Sequence, residues 1–421
     1  MHLPDDAPLL ALLGTVAANL LPGDPVWLLL VAPPASGKTE LLESLRGVPS
    51  IHRVATLTEA ALLSGTAKKE QAKGAKGGLL REIGERGIIL CKDFGSILSM
   101  HRDERSRVLA ALREVYDGNW TRHVGSDGGQ SLSWTGCIGI VAACPPTIDS
   151  HHTVMASLGE RFVMLRFGQT PTEAHTRMAL AHAGREQELR TELTAAVARL
   201  FAALRPSETQ PPRSPDDESR LVSLATLVSR CRSSVERDGY SREVELIPGP
   251  ESPTRLAVTL QRLLDGLVTL GVSRERGWSV VRRVALDSMP AIRRSVLTLV
   301  LRLGEPNTTE VAADVGYPTS TTRRALEDLA AYRVLQRLPD GKGKSDRWRI
   351  ADGFARYFAA VPEMSEEPRT VPETSEGPIH TSPSSNTEHP YDDKSGKVTG
   401  DPETSLHLLA AHDCESLGGT R

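Results

Sequence analysis

Ala32-Pro33-Pro34-Ala35-Ser36-Gly37-Lys38-Thr39 follows the apolar run Val26-Trp27-Leu28-Leu29-Leu30-Val31 and opens a helical pattern near Lys38. A loop between a strand and a helix points backbone N–H groups at a phosphate chain. Its lysine meets the terminal phosphates and its hydroxyl holds Mg2+. Residues 32–39 are therefore a candidate phosphate-binding loop, with Ala32, Pro33, Pro34, Ala35, Ser36, Gly37 and Lys38 around the phosphates and Thr39 on the metal. ATP and Mg2+ are the expected cofactors, and Lys38 is also expected to act in catalysis. Ala32 stands where the pattern has its first glycine. Because alanine tolerates fewer backbone conformations, the start of the loop is expected to differ slightly while Gly-Lys-Thr keeps the chemistry.

Outward from this loop, the short apolar runs 26–31, 87–91, 137–143 and 162–167 alternate with helical or loop segments. That is the pattern of an α/β domain with a largely parallel sheet. The second run ends in Lys92-Asp93-Phe94, so Asp93 is the candidate acid, either holding Mg2+ or occupying the place of the base that polarises water. Asp also favours helix caps, which is the plainer reading of the same residue. Helical spacing returns over 171–204, resumes after the breaker 206–219 and continues through 235, then recurs over 253–270. The expected divisions are a core over 1–168, a helical lid-type domain over 169–287, a third unit over 288–358 and a disordered acidic tail over 359–421.

Composition narrows the class. Of 421 residues, 39% are hydrophobic and 24% charged, and no stretch approaches the roughly 20 apolar residues of a membrane span. The first residues, Met1-His2-Leu3-Pro4-Asp5-Asp6, lack the basic region of a signal peptide, so the apolar residues 9–13 read as a helix and the expected location is the cytoplasm. Cys91, Cys137, Cys144, Cys231 and Cys414 are scattered without C-x-x-C spacing, which suits a reducing compartment and buried thiols. The formal charge of −3 hides an asymmetry, since residues 361–421 hold 12 acidic and 4 basic side chains and the remainder is net basic.

Residues 292–302 read as a helix, and Asn307 to Gly316 as a capped second helix. A third carries Thr319, Ser320, Thr321, Thr322, Arg323 and Arg324 near its front, with Ala325 and Leu329 turned to a core. Strand-like residues 334–338 and 345–350 flank a basic tip bearing Lys342 and Lys344. This order is that of a winged helix-turn-helix, and residues 290–350 hold 11 basic against 7 acidic side chains. DNA is the expected partner, with Thr319–Arg324, Lys342 and Lys344 at the phosphates and bases. Two basic features, the segment 67–78 and a hairpin with Arg122 and His123, either line a central pore and track a phosphate backbone or are solvated loops.

After Asp93 come a helix over 104–116, the segment Asp117-Gly118-Asn119-Trp120-Thr121-Arg122-His123-Val124-Gly125, and the strand at 137–143. This succession resembles AAA+ ATPases, in particular the branch of minichromosome-maintenance helicases and bacterial enhancer-binding activators. Where that branch has a polar sensor this chain reads Ala143-Cys144-Pro145-Pro146-Thr147, leaving Thr147 as the stand-in. Leu158-Gly159-Glu160-Arg161-Phe162 resembles the segment of the arginine finger, which implies that Arg161 reaches a neighbouring subunit's site. Ser252-Pro253-Thr254-Arg255-Leu256-Ala257 is similar to the second sensor, which implies that Arg255 contacts nucleotide. A surface ion pair is the plain alternative for either arginine. The resemblance implies a homo-oligomeric ring that hydrolyses ATP as a helicase-like or replication-initiating DNA motor. The alternative is an ATP-gated winged-helix transcriptional regulator with weak or no hydrolysis.

Overall fold

The computed structural model describes residues 5–64, 77–124, 130–168, 173–205, 213–341, 343–361 and 364. The predicted basic loop 67–78 lies largely outside them, as do Lys342, Cys414 and the predicted tail from residue 365 onward. Met1–Pro368 forms one compact unit.

The first half of the chain runs α1 (Ala7–Leu20), β1 (Trp27–Val31), α2 (Lys38–Glu43), β2 (Ile51–Val54), α3 (Glu59–Leu62), α4 (Leu79–Ile83), β3 (Arg86–Cys91), α5 (Gly95–Leu98), α6 (Arg102–Tyr116), β4 (Asn119–Val124), β5 (Gln130–Thr135), β6 (Cys137–Cys144), α7 (His152–Ser157) and β7 (Phe162–Arg166). Helices then dominate: α8 (Glu173–Ala181), α9 (Glu186–Ala203), α10 (Pro215–Arg232), the short pair β8 (Glu236–Arg237) and β9 (Val244–Leu246), α11 (Pro253–Thr269) and α12 (Arg274–Asp287). Three more helices, α13 (Ala291–Leu303), α14 (Thr308–Val315) and α15 (Thr319–Ala331), lead into β10 (Leu335–Leu338) and β11 (Arg347–Ile350).

The protein is mixed α/β around a parallel sheet of five strands in the order β2-β3-β6-β1-β7. The four apolar runs of the sequence are four of these strands. The fifth, β2, is short and only partly buried. Because side chains alternate across a strand, Leu28, Leu30, Ile88, Leu90, Val141, Ala143, Val163 and Leu165 face one core. Trp27, Leu29, Val31, Ile89, Cys91, Ile140, Ala142 and Phe162 face the other. The first core continues through α1, α9 to α12 and the C-terminal helices. The second is closed by α3 to α7 and the antiparallel hairpin β4–β5.

Helix α1 is buried along most of its length between the sheet and α11. Its Asn19 amide donates to the carbonyls of Thr15 and Val26 and accepts from the Val26 N–H at 2.9 Å, which fixes where β1 begins. The two helices touch through glycines: a Cβ on Gly266 would stand 2.2 Å from the Gly14 carbonyl oxygen and 2.7 Å from the Ala18 nitrogen. On α10, buried Asp217 accepts from Trp278 Nε1 at 2.8 Å and from Arg274, joining α10 to α12.

The C-terminal unit follows local rules closely. Asn307 and Glu310 form a capping box at the start of α14, and Gly316 ends it in the left-handed conformation at φ 68°. Trp348 of β11, fully buried, donates Nε1 to Thr308 Oγ1 at 2.8 Å and ties the β10–β11 ribbon to that cap. Packing extends past the predicted start of the tail at residue 359, because Val361 and Met364 are buried in the same core. Among the described residues no helix is long and apolar enough to cross a membrane.

Ala is a better helix former than Gly by about 1 kcal/mol, yet Gly266→Ala is expected to lower stability, since two helix backbones must separate to admit the methyl group. The check is the urea midpoint of the purified variant, and a raised midpoint would contradict this packing.

Candidate functional site

Strands β1, β3, β6 and β7 end together. Val31 lies beside Cys144 and Arg166, and Cys91 beside Ala142. Backbone bonds continue past the strands, with Ala32 N–H donating to the Cys144 carbonyl at 3.2 Å, Phe94 N–H to Ala143 at 2.8 Å and Phe167 N–H to Val31 at 3.1 Å. Chain order runs to one side of β1 through β2, β3 and β6, and to the other at β7. The crevice at the carboxyl end of β1 is thus a topological switch point, where open α/β sheets bind ligands.

The 32–39 loop fills that crevice. Ala35 has φ 60° and Gly37 φ 85°, and alternation of left- and right-handed residues turns backbone N–H groups into an anion-binding concavity. Holding Ala35 left-handed costs about 1–2 kcal/mol. Ala32 is fully buried and is not among the left-handed residues, so the alanine at the first-glycine position leaves the start of the loop unstrained. The Lys38 ammonium donates to the carbonyls of Ala32 and Pro33, and Ser36 Oγ to Pro33 at 2.6 Å. Burial holds the Lys38 pKa below the ordinary lysine value, opposed by nearby Asp93. Thr39 is exposed at the start of α2. Its neighbour Glu40 takes two bonds from Arg190 of α9, at 2.7 and 2.8 Å, which ties the helical layer to the loop's own helix.

Asp93 stands exposed at the same edge, one strand further from β1 than the simplest arrangement, because β6 lies between β1 and β3. Its Oδ1 accepts the Gly95 N–H at 2.9 Å, so it caps the turn into α5 while presenting a carboxylate near Lys38. At the end of β6, burial pushes the Cys144 thiol up to about 12, leaving it neutral. Thr147 is exposed in the turn Pro146–His151 beyond the strand.

The sequence reading missed Arg166, which closes this edge. It is buried on β7, bonds Asp149 through both terminal nitrogens at 2.8 Å, and donates Nε to the Asp287 carbonyl of α12 at 2.9 Å. A charge inside an otherwise apolar strand was the available signal. Gly168, two residues on and left-handed at φ 66°, leaves room for the loop: a Cβ there would stand 2.7 Å from that of Ser36.

The two family-implied arginines lie elsewhere. Phe162 pairs with Trp27 at the start of β1, so Arg161 is at the opposite edge of the sheet from the loop, roughly 15 Å away at 3.3 Å per residue. Its side chain is only 8% exposed and bonds both Asp117 carboxylate oxygens at 2.9 Å. Arg255 is not at its own loop either. It donates to the Gly159 carbonyl at 2.6 Å, and both guanidiniums lie over the Tyr116 ring, at 5.2 Å for Arg161 and 5.7 Å for Arg255. Arg122 on β4 is likewise tied down, to the Leu63 carbonyl at 2.8 Å and Glu59 at 3.0 Å, which removes it as a free pore-facing cation.

At the C-terminal unit, Thr319, Ser320, Arg323, Arg324 and Lys344 are exposed and Thr321 is half-buried. Thr322 has 0% exposure and faces the core with Ala325 and Leu326, so it drops out of the predicted DNA-contacting set. A helix turns about 100° per residue, and four consecutive residues cannot all face solvent.

No protein-family model matches the chain, and no curated protein matches it. Among solved structures it is similar to NtrX from Brucella abortus in complex with ADP, at 15% identity over 78% of this chain and 70% of that one, with a TM-score of 0.27. It is also similar to the apo C-terminal region of NrS-1, at 12% identity over 83% and 76%, with a TM-score of 0.25. At this level of similarity the assignment rests on the chain's own geometry.

Glu160 gives this region a pH signature. It is left-handed at φ 49°, with its side chain 12% exposed, and 3.8 Å from Arg232, whose guanidinium is engaged mainly by Glu251 at 2.7 Å. Burial raises its carboxyl to about 7. The folded state therefore holds the proton more tightly than the unfolded chain, and the associated stability, full below the ordinary carboxyl range, is lost as pH rises through about 7. Glu160→Gln, permanently neutral, is expected to gain melting temperature relative to the parent at pH 8 and not at pH 5. Thermal melts at the two values check this, and an equal difference at both would contradict it.

Proposed function

We propose that this chain is an ATP-binding and ATP-hydrolysing AAA+-type protein that works on DNA as an oligomeric ring, a helicase-like or replication-initiating motor. One observation carries the reading: the phosphate loop, Asp93 and the end of β6 meet at the switch point of the parallel sheet. The backbone N–H groups of residues 35–39 take the phosphates, and Lys38 exchanges its two carbonyl partners for phosphate oxygens. Thr39 and Asp93 would hold Mg2+, which would supply neutralisation of charge on the transferring phosphoryl group. Helices α8 to α12 serve as the lid, with Arg190 and Glu40 coupling it to the loop. Helices α13 to α15 with the β10–β11 ribbon act as a winged helix on DNA.

The position of Arg161 supports the ring. It is too far from the loop of its own chain to meet a phosphate there, so any catalytic role is exercised on another copy. Arg255, over the same Tyr116 ring, serves the same foreign site. Assembly must first release Arg161 from Asp117, which keeps the isolated subunit inactive. One observation favours the second reading, an ATP-gated regulator with weak hydrolysis: β6 ends in a buried neutral thiol where a polar side chain is expected.

Steady-state ATP hydrolysis with and without duplex and single-stranded DNA separates the two. For the motor, DNA accelerates turnover, Lys38→Ala abolishes nucleotide binding, and Arg161→Ala retains binding while losing about 1000-fold or more in rate. Tight ATP binding with negligible turnover, indifferent to DNA and to Arg161→Ala, would leave the regulator. A second check is assembly: with ATP and Mg2+ the protein is expected to elute as a multimer in size-exclusion chromatography, and Asp117→Ala, which removes the carboxylate partner of Arg161 and leaves its bond to the Leu158 carbonyl, is expected to elute so at lower protein concentration.

A further inference from the structure

A cavity of about 630 Å3 opens beside Tyr116, whose ring meets Trp27 at the start of β1 at 5.1 Å, so the cavity lies at the amino edge of the sheet. Tyr116 and Glu160 wall it from the core, Pro248 from the segment after β9, Arg255 and Val258 from α11, and Tyr332 from the end of α15. Its lip is apolar. Leu246 and Ile247, which lead into Pro248, are exposed, as is Val258, and Tyr240 at the turn of the same hairpin is 98% exposed. Single exposed apolar residues need no explanation, whereas a group continuous with a cavity marks a contact surface.

The hairpin also carries charge. Residues 236–246 hold the carboxylates Glu236, Asp238, Glu243 and Glu245 against Arg237 and Arg242. Arg237 is spent on α15, where it bonds Glu327 at 3.0 Å and Asp328. Glu243 and Glu245 are exposed, and neither has an ion-pair partner among the described residues. At the other edge of the sheet the balance reverses. Lys92, next to Asp93, and Arg53 of β2 are both exposed and share the single carboxylate of Glu43, which leaves one of the two cations unmatched.

A closed ring is built from two different faces, each copy offering one and receiving the other. Where Arg161 and Arg255 serve a neighbour's phosphate loop, the surface around these arginines meets the surface around that loop. Arg255 shares its cavity with Pro248 and Val258, and the loop shares its edge with Lys92 and Arg53. A second copy of this chain therefore offers both things this face lacks, a phosphate site for the arginines and cations for the carboxylates of the hairpin.

We infer that the β8–β9 hairpin and the apolar lip beside Arg255 are the face covered by a second copy of this chain, with Glu243 and Glu245 set against Lys92 and Arg53 of that copy. This rests on the ring reading above and names the surface that closes the ring. Covering the lip drives association, and the charges fix its register.

The test uses the full chain with ATP and Mg2+, and sedimentation velocity reads the concentration at which half the protein is multimeric. Ile247→Asp, which places a charge in the lip, is expected to raise that concentration about tenfold or more, while binding of a fluorescent ATP analogue stays unchanged. Glu245→Lys and Arg53→Glu are each expected to raise it as well. Combined in one chain they are expected to bring it back toward the unchanged protein, because the reversed charges then meet across the contact. Assembly of Ile247→Asp at the unchanged concentration would overturn the inference while the ring stands. So would a combined variant that assembles no better than the weaker single one. An unchanged chain that stays monomeric at every concentration would remove the ring reading and this face together.

Discussion

The close crossing of α1 and α11 sets the rest of the molecule. With glycines at the contact the two backbones meet without side chains between them, and α11 is drawn against the helix that lies on the sheet. Everything downstream inherits that position. Residues at the start of α11 bring Arg255 to Gly159, and α12, stacked on α11, offers Asp287 to Arg166 on β7. A side chain at either glycine would shift these contacts as a group, so a small steric constraint far from the phosphate loop governs charges at both ends of the sheet.

Those charges are arranged by edge. At the carboxyl edge, beside the buried Arg166–Asp149 pair, two charges are exposed or weakly engaged: Lys38 on carbonyl oxygens, Asp93 on one backbone N–H. At the amino edge and along α10, α13 and α15 they are consumed internally, with Arg161 on Asp117, Arg232 on Glu251 and Arg293 on Asp328. Where both partners are largely buried, as in Arg232–Glu251 and Arg293–Asp328, removing one leaves an uncompensated charge and costs several kcal/mol. The contrast sets Lys38 and Asp93 apart from charges engaged within the subunit.

The sequence made the largely parallel sheet and the loop after its first strand legible, because apolar runs and a glycine-lysine-threonine turn are local signals, while the strand order that makes a switch point of that loop came only with the structure. The C-terminal helices were equally readable, since the Asn307–Glu310 box and Gly316 act within one turn of chain. What stayed hidden depended on distant partners. Arg161 and Arg255 read as nucleotide contacts, yet Asp117 and Gly159 hold them, and nothing in either segment announces those neighbours. Thr322 read as a groove contact for its hydroxyl, although its spacing of three and seven residues from Ala325 and Leu329 already put it on their core face. Arg166 was overlooked inside an apolar run, where only its charge marked it.

The strand inserted between β1 and β3 has one more effect. Adjacent strands lie about 4.8 Å apart, so the ends that bear Lys38 and Asp93 are held roughly twice that distance from each other. β6 works as a spacer: it keeps an ammonium and a carboxylate in one crevice with a strand between them. The polypeptide stores opposite charges across a gap the width of one strand.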